Sequence, residues 1–342
     1  MKLGFMIGYW GAQPPTDVPE LLAEAERLGY QSAWTAEAYG SDALTPLAWW
    51  GSRTSTIQLG TSICQLSART PTAMAMAALS LDHLTAGRFV LGLGASGPQV
   101  VEGWYGQPYA KPLARTREYV GIVREVLARN EPVTSDGEHY PLPYPGGTGL
   151  GKPVRPITHP LRADLPIYLA AEGPKNVALA AEIADGWLAI YYSPRVDGFY
   201  REALGEGFAR PDARRTSTDF EVAATVPVIF HADVDEAADM LRPVLALYIG
   251  GMGAREANFH ADVFARMGYE REAREIQDLY LEGKKDEAAG LVPRSLIEET
   301  ALIGPKEKVR DDLAQWDESV VTTILLYGDS PTLRTMAELA LG

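Results

Sequence analysis

The chain has 342 residues, with 45 Asp or Glu against 31 Lys or Arg, so its formal net charge is −14. Hydrophobic residues make up 46% and charged residues 22% of the chain, a balance that is typical of a globular protein with a large core and excludes a disordered chain. The acidic excess argues against nucleic acid or an anionic membrane as the main partner. Cys64 is the single cysteine, which excludes an intrachain disulfide and a thiolate zinc site.

The N-terminal segment carries no sign of a leader or a membrane anchor. It reads MKLGFMIGYWG and lacks the apolar stretch and the small-residue cleavage site of a signal peptide. No apolar run approaches the roughly 20 residues that a spanning helix needs. We therefore expect a cytoplasmic protein whose partner is a small molecule.

The first half of the chain alternates between short apolar runs, which are typical of strands, and longer stretches of helical periodicity. Gly29 and Gly87 end two of the helices, and Pro71 begins one. The predicted elements are, in chain order, a strand over 2–7, a helix over 18–28, strands over 31–35 and 57–63 with a short helix over 46–53 between them, a helix over 71–84, a strand over 88–93 and a helix over 113–127.

The second half continues the alternation after an irregular stretch rich in proline and glycine. Its predicted elements are strands over 166–171, 186–190, 220–230 and 322–327, with helices over 174–183, from 235 onward, over 256–291, over 305–316 and over 331–341. Eight strands with helices between them predict a closed (β/α)₈ TIM barrel in a single domain over 1–342. The segments at about 130–165 and 250–292 are expected to be insertions in that barrel.

The chemistry of such a barrel lies at the carboxyl ends of its strands. The residues that follow the predicted strands are mostly aromatic, small or amide-bearing, and His231, after the seventh strand, is the only histidine among them. One histidine does not make a metal site, so this pattern favours a flat aromatic ligand over a metal.

A strand-to-helix turn follows the fifth strand. Glycine turns the chain at Gly173, Pro174 takes the first helical position, and Lys175 and Asn176 begin the helix. The N–H groups at such a helix start bind phosphate, and Lys175 adds a cation. An ordinary turn has the same pattern, so both interpretations stand.

Two glycine patterns match nucleotide-binding motifs but lack the strand or helix that normally flanks each motif. Residues 92–97 match GxGxxG, but Pro98 and Gly103 interrupt the helix that this fingerprint should open. Residues 146–152 match GxxxxGK, but Pro153 replaces the Ser or Thr, and no strand precedes them. We interpret both as chance matches.

Several segments together resemble the bacterial luciferase-like monooxygenase superfamily, and within it the branch that uses the deazaflavin coenzyme F420. The resemblance covers nearly the whole chain and rests on LGT at 59–61, on GRF at 87–89 with GLG at 92–94, and on GPKN at 173–176 followed by EIADGW at 182–187. It implies a barrel that holds the coenzyme ring at its carboxyl-end face and a homodimer in solution. It also implies a cis peptide bond between Ser62 and Ile63 behind the ring. The cofactor-binding residues that it implies are Ser62, Ile63, Gln65, Ser96, Gly97, Glu172, Gly173, Pro174, Lys175 and Asn176.

The resemblance implies hydride transfer at C5 of the deazaflavin, and therefore a reductase or dehydrogenase. Candidate proton-transfer residues are Glu37, Tyr39 and Tyr191, with Glu37 first because a shielded carboxyl can hold a raised pKa. The alternative is that Glu37 only positions the ring or a neighbour. Some relatives have a histidine after strand 2, where this chain has Ala38, so their proton-transfer scheme does not carry over.

The sequence alone does not decide the identity of the cofactor or of the substrate. FMN with monooxygenase chemistry is the alternative to F420, and a non-catalytic binding protein is a second alternative. Cations for the acidic deazaflavin tail are available in loops at Arg69, Lys111, Arg115, Lys152 and Arg155. A hydrophobic or cyclic substrate is expected from the aromatic residues Tyr9, Trp10, Tyr191 and Tyr192, with Trp49 and Trp104 nearby in sequence.

Overall fold

Eight parallel strands close into a barrel in the computed structural model, which describes residues 1–252 and 258–342. The sheet order is β3-β2-β1-β11-β8-β7-β6-β5-β4, and pairing of Leu59 in β3 with Phe89 in β5 closes it. This confirms the predicted TIM barrel. The strands are β1 Lys2–Gly8, β2 Ser32–Thr35, β3 Gln58–Thr61 with its short continuation β4 Cys64–Gln65, β5 Phe89–Gly94, β6 Ile167–Ala170, β7 Gly186–Ile190, β8 Glu221–Thr225, β9 Val228–Phe230, β10 Leu302–Gly304 and β11 Thr323–Leu326.

Helices follow the barrel strands and cover the outside of the sheet, which is why those strands read as continuous apolar runs. Capping fixes several helix starts: the Thr70 hydroxyl accepts a hydrogen bond from the Ala73 N–H, and Asp329 does the same for Thr332. The helices are α1 Val18–Arg27, α2 Leu44–Gly51, α3 Pro71–Leu84, α4 Pro98–Val101, α5 Pro112–Ala128, α6 Pro174–Ile183, α7 Asp197–Phe208, α8 Val234–Ala246, α9 Phe259–Phe264, α10 Glu270–Leu281, α11 Lys285–Gly290, α12 Arg294–Thr300, α13 Lys306–Asp317 and α14 Ser330–Leu341. In the described parts of the chain, no helix is both long and apolar enough to cross a bilayer.

The predicted seventh strand is wrong in one respect, because residues 220–230 form two strands. Only β8 belongs to the barrel, and β9 pairs in parallel with β10 outside it. Pro227 lies between them and has no N–H with which to continue the ladder. His231 therefore follows β9 and not a barrel strand, and its partly exposed ring lies beside Glu236 on α8.

Glycines make room for large side chains inside the barrel. The buried ring of Trp34 packs there with Tyr168. A Cβ at Gly60 would lie 2.3 Å from that ring, and one at Gly92 would lie 1.7 Å from the Thr61 carbonyl oxygen. Close packing thus explains Gly92, the first glycine of the apparent nucleotide fingerprint.

The two predicted insertions differ in regular structure. Residues 130–165, all described, contain isolated bridges at Val133–Val154 and Ser135–Leu142 and neither a helix nor a longer strand. The predicted helix over 256–291 is divided into α9, α10 and α11, with positive φ values at Gly268 and Gly283 between them. Its first two residues lie outside the described residues. Helices α8 to α12 build a second core with Tyr191.

Candidate active site

A cavity of about 780 Å³ opens at the carboxyl ends of the barrel strands. The structure brings all ten predicted cofactor-binding residues to its lining, although they come from three separate strand ends. Glu37 and Tyr39 also line it, whereas Tyr191 does not. The ten residues are Ser62, Ile63, Gln65, Ser96, Gly97, Glu172, Gly173, Pro174, Lys175 and Asn176.

Ile63 is held between β3 and β5. The peptide bond between Ser62 and Ile63 is cis, as the resemblance implies. The Ser62 N–H donates to the Thr35 carbonyl at 2.6 Å, and the Ile63 carbonyl accepts from the Glu37 N–H at 3.2 Å. A Cβ at Gly94 would lie 2.9 Å from Cδ1 of Ile63, so glycine there lets the two strand ends approach. Main-chain contacts therefore fix this part of the cavity.

The Glu37 carboxylate is buried and held by donors on both oxygens. Nη1 of Arg69 lies 2.9 Å from Oε1 and 3.0 Å from Oε2. The Gln65 N–H donates to Oε1 at 2.8 Å, and the Ala43 N–H donates to Oε2 at 3.2 Å. These hydrogen bonds connect the segment after β2 to β4. They favour the alternative in which Glu37 positions its neighbours over the one in which it transfers a proton. Its catalytic role stays a prediction.

Gln65 offers a polar atom to a ligand. Its side chain is buried, and Nε2 donates to the Glu37 and Ala38 carbonyls at 3.3 and 3.4 Å. Within the described residues, its Oε1 has no hydrogen-bond partner. A buried acceptor without a donor is costly, so a ligand N–H or O–H in the cavity would satisfy it.

The start of α6 forms another part of the lining. Gly173 is its N-cap residue, and a Cβ built there would meet no atom within 4 Å, so the glycine borders open space. Lys175 is exposed in the first turn. The amide N–H groups of a helix start attract anions, and the lysine strengthens this. The Glu172 carbonyl accepts from Nη2 of Arg266 at 2.9 Å, which ties this turn to the residues after α9.

Tyr191 lies behind the cavity lining. Its φ is +55°, and its ring packs on Tyr248 and Phe264 with centroid distances of 5.3 and 5.0 Å. Burial raises the pKa of Tyr191 well above its usual value. A phenol in this position is a poor proton donor at neutral pH.

Residues 4–323 of the chain match the family described as luciferase-like monooxygenase. The chain belongs to this family. A Mycobacterium tuberculosis protein named "Putative coenzyme F420-dependent oxidoreductase Rv3520c" is 59% identical over 99% of both chains. A 5,10-methylenetetrahydromethanopterin reductase of Archaeoglobus fulgidus is 28% identical over 88% of this chain and 86% of its own.

Solved structures of luciferase-like proteins have the same fold. The coenzyme F420-dependent tetrahydromethanopterin reductase of Methanopyrus kandleri is 24% identical, covers 99% of this chain and 98% of its own, and has a TM-score of 0.80. An F420-dependent secondary alcohol dehydrogenase in complex with an F420–acetone adduct is 17% identical, with the same coverage and a TM-score of 0.76. At these identities the likeness supports the barrel alone.

The aromatic lining of this luciferase-like cavity differs from the expected one. Of the expected aromatic residues, only Tyr9 lines it. Trp10 packs on Trp50, Tyr192 lies in the main core, and Trp49 and Trp104 are exposed. Aromatic residues of the lining that the sequence reasoning missed are Tyr109, Tyr248, Phe259, His260 and Tyr327. Tyr327 ends the eighth predicted strand and could have been found from the strand-end rule.

The expected cations do not gather at this cavity. Lys111 pairs with Glu138, and Nη1 of Arg155 donates to the Asn130 carbonyl. Arg69 and Arg115 line a neighbouring cavity of about 250 Å³, which shares Tyr109 with the larger one.

In the described parts of the chain, no group of three or more His, Cys, Asp or Glu could hold a metal ion.

Proposed function

We propose that the protein is a coenzyme F420-dependent oxidoreductase that transfers a hydride between C5 of the deazaflavin and a small hydrophobic or cyclic organic substrate. The observation that carries this proposal is the single cavity that joins the Ser62–Ile63 segment to the start of α6. The relative that is 59% identical over its whole length and is named for F420 supports the cofactor.

The residues present fit such a cofactor. The unpartnered Oε1 of Gln65 would accept a ring N–H, and Ile63 would pack on the ring face. The open space at Gly173, with Lys175 and the first turn of α6, would hold a phosphate. When bound, a deazaflavin supplies a carbon centre that gives or takes a hydride.

The chain's own residues orient the reactants and exclude water. The buried Glu37 carboxylate pairs with the partly exposed Arg69 and accepts from the Gln65 N–H, so we assign Glu37 as a positioning residue. Tyr39 is exposed and lines the cavity, which leaves its hydroxyl within reach of solvent and of a ligand. Apolar and aromatic atoms dominate the rest of the lining, and this favours a hydrophobic or cyclic substrate over a sugar phosphate.

A paired titration tests the cofactor. Quenching of deazaflavin fluorescence by the protein would be followed beside the same titration with FMN. We expect micromolar or tighter binding of F420 and weaker binding of FMN. A preference for FMN would contradict the proposal and favour oxygen chemistry, and binding of neither would favour the non-catalytic alternative.

A lysine variant sharpens this titration. Lys175→Gln removes one cation from the start of α6, so we expect the Kd for F420 to rise roughly tenfold, which is about 1.4 kcal/mol. Lys306→Gln is the matched control, because Lys306 pairs with Glu338 away from the cavity. Equal affinities of the two variants for F420 would show that Lys175 does not contribute to cofactor binding.

The homodimer and the cytoplasmic location remain expectations from the sequence.

A further inference from the structure

A histidine and a glutamate from distant parts of the chain meet in the cavity lining. Nδ1 of His260 lies 2.9 Å from Oε2 of Glu172, and their side chains are 11% and 12% exposed. Glu172 follows β6, whereas His260 is the second residue of α9. Both residues line the cavity. We call them the His260–Glu172 pair.

The inserted segment holds His260 by several independent contacts. The Asn258 side chain caps α9 by accepting from the Ala261 N–H at 3.2 Å, and it donates to the Ile249 carbonyl at 2.6 Å. Rings of Tyr248 and Phe259 pack on the imidazole with centroid distances of 5.1 and 4.5 Å. The imidazole plane is thus constrained before any ligand binds.

The partner of Nδ1 decides which nitrogen is available. An ionised carboxylate only accepts hydrogen bonds, so Nδ1 donates to Glu172 and the second nitrogen, Nε2, is left free in the neutral ring. Within the described residues, Nε2 makes no hydrogen bond. A carboxylate that orients an imidazole and stabilises its charged form is a recurring arrangement in proton transfer.

We propose that His260 gives and takes the substrate proton through Nε2, that Glu172 is its positioning residue, and that the substrate is a ketone or the corresponding secondary alcohol. A hydride added to a C–O double bond leaves an oxygen that needs a proton donor, and the mostly apolar lining suits the rest of such a molecule. This proposal rests on the proposed function. In reduction, a bound reduced deazaflavin would supply the hydride for the new C–H bond, the C–O π pair would move to oxygen, and Nε2–H of the His260 imidazolium would protonate that oxygen. The neutral imidazole then regains a proton from solvent, and the alcohol is released. Oxidation of the alcohol reverses each of these transfers.

The titratable groups around the His260–Glu172 pair are few and mostly aromatic. Arg266 binds the Glu172 carbonyl, and burial raises the pKa of Tyr191 and of Tyr248 above the usual value. Both tyrosines therefore stay neutral at physiological pH. The groups that face the pair from the surrounding elements are Arg266, Tyr9, Tyr109, Tyr191, Tyr200, Tyr248 and Tyr327.

Imidazole ¹⁵N NMR of the protein without cofactor tests the pair apart from activity. The His260 signals are identified by their absence in His260→Gln. We expect a protonated Nδ1 and an unprotonated Nε2 in the neutral ring, and a shift toward the Nε2–H form in Glu172→Ala. Glu172→Gln, which keeps an acceptor, should retain the original form. The exposed His231–Glu236 pair, 3.3 Å apart and outside the cavity, is the matched control: Glu236→Ala should leave the His260 signals unchanged.

Oxidation of reduced F420 by cyclohexanone and 2-butanone tests the chemistry. We expect His260→Gln to lower kcat about 100-fold, the usual scale of general acid–base catalysis, and to flatten the pH profile of kcat. The Kd for F420 should stay within about twofold, and His231→Gln should behave as the wild type. Added imidazole should restore part of the rate in His260→Ala.

The outcomes separate this proposal from the proposed function. An Nε2–H tautomer in the wild type, or wild-type kcat and pH profile in His260→Gln with F420 bound, would overturn the role of His260 alone. Tight F420 binding without oxidation by either ketone would overturn the substrate class. Failure of the wild type to bind F420 would overturn the proposed function, and the role of His260 would fall with it.

Discussion

The two sides of the cavity are held in different ways. The barrel wall consists of the lining residues Glu37, Ile63, Gln65 and Gly94, which main-chain hydrogen bonds and close strand contacts fix. The inserted wall consists of Tyr248, Phe259 and His260, which a side-chain cap and ring contacts hold. We therefore expect the barrel wall to be as rigid as the sheet, whereas the inserted wall can change without disturbing the strands.

The largest effect is expected in β5, the strand that ends in the barrel-wall residue Gly94. In Gly92→Ala the new Cβ would meet the Thr61 carbonyl oxygen and the Leu188 side chain, so we expect the free energy of unfolding to fall by about 3 kcal/mol or more. Urea unfolding followed by circular dichroism measures it. The control is Gly121→Ala on α5, where a Cβ meets nothing within 4 Å and helix propensity predicts a gain of about 0.5–1 kcal/mol. A tolerated Gly92→Ala would contradict the rigidity of the barrel wall.

Removal of one ionic partner should have the next largest effect. Arg69→Met leaves the buried Glu37 carboxylate without its guanidinium, while two main-chain N–H groups remain on it, so we expect a loss of about 2 kcal/mol. Adding Glu37→Gln to this variant should recover part of the stability, because no charge is then left unpaired. A double variant that is less stable than Arg69→Met would show that the Glu37 carboxylate stabilises the fold through contacts other than its pairing with Arg69.

A pH-dependent contribution of about 1 kcal/mol is expected from Glu26, at the end of α1. Burial alone would raise the pKa of Glu26, but hydrogen bonds from the Ile57, Thr56 and Ser55 N–H groups and from the Thr56 hydroxyl outweigh it and lower the pKa from 4.5 to about 2. This stability is therefore fully present above pH 4.5 and is lost as the pH falls toward 2.

Glu26→Gln checks the sign of this effect. The variant should be less stable than the wild type at pH 7, and the two should converge near pH 2. Glu20→Gln, an exposed position on the same helix, should show no such convergence. A constant difference across the pH range would mean that Glu26 acts through packing and not through its charge.

The smallest global effect is expected in the inserted wall. Asn258→Ala removes the cap of α9 and the bond to the Ile249 carbonyl, yet we expect global unfolding to change by only about 0.5 kcal/mol. Hydrogen exchange of the α9 amides should nevertheless become faster, because the lost contacts are local. A loss of several kcal/mol would remove the distinction between the two walls.

The barrel wall could be predicted from the sequence because its position follows from the strand pattern. Apolar runs gave the strands, and the strand-end rule together with the family resemblance gathered Ser62, Gln65 and Gly173 on one cavity. The one misplaced strand end, at His231, could have been avoided by considering Pro227. Proline has no N–H and therefore interrupts the hydrogen bonds between neighbouring strands. Tyr191 follows β7 as expected, but its positive φ turns the ring into the second core.

The inserted wall could not be predicted in the same way. His260 has no motif around it, and its meeting with Glu172 depends on how α9 packs against the barrel. The insertion also needs Gly250 and Gly251, where any Cβ would come within 2.5 Å of the Tyr280 side chain on α10. Such long-range contacts leave no periodic pattern in a single sequence.

The β9–β10 pair has a consequence for how this protein can diverge. Val228–Phe230 and Leu302–Gly304 lie side by side as parallel neighbours, so the chain leaves the barrel and returns to it at adjacent points. Helices α8 through α12 lie between these two strands in the chain, so their covalent connection to the barrel runs through this narrow stem. A segment of another length or sequence could be grafted onto that stem while the eight barrel strands keep their register, so the inserted wall of the cavity can diverge as a unit.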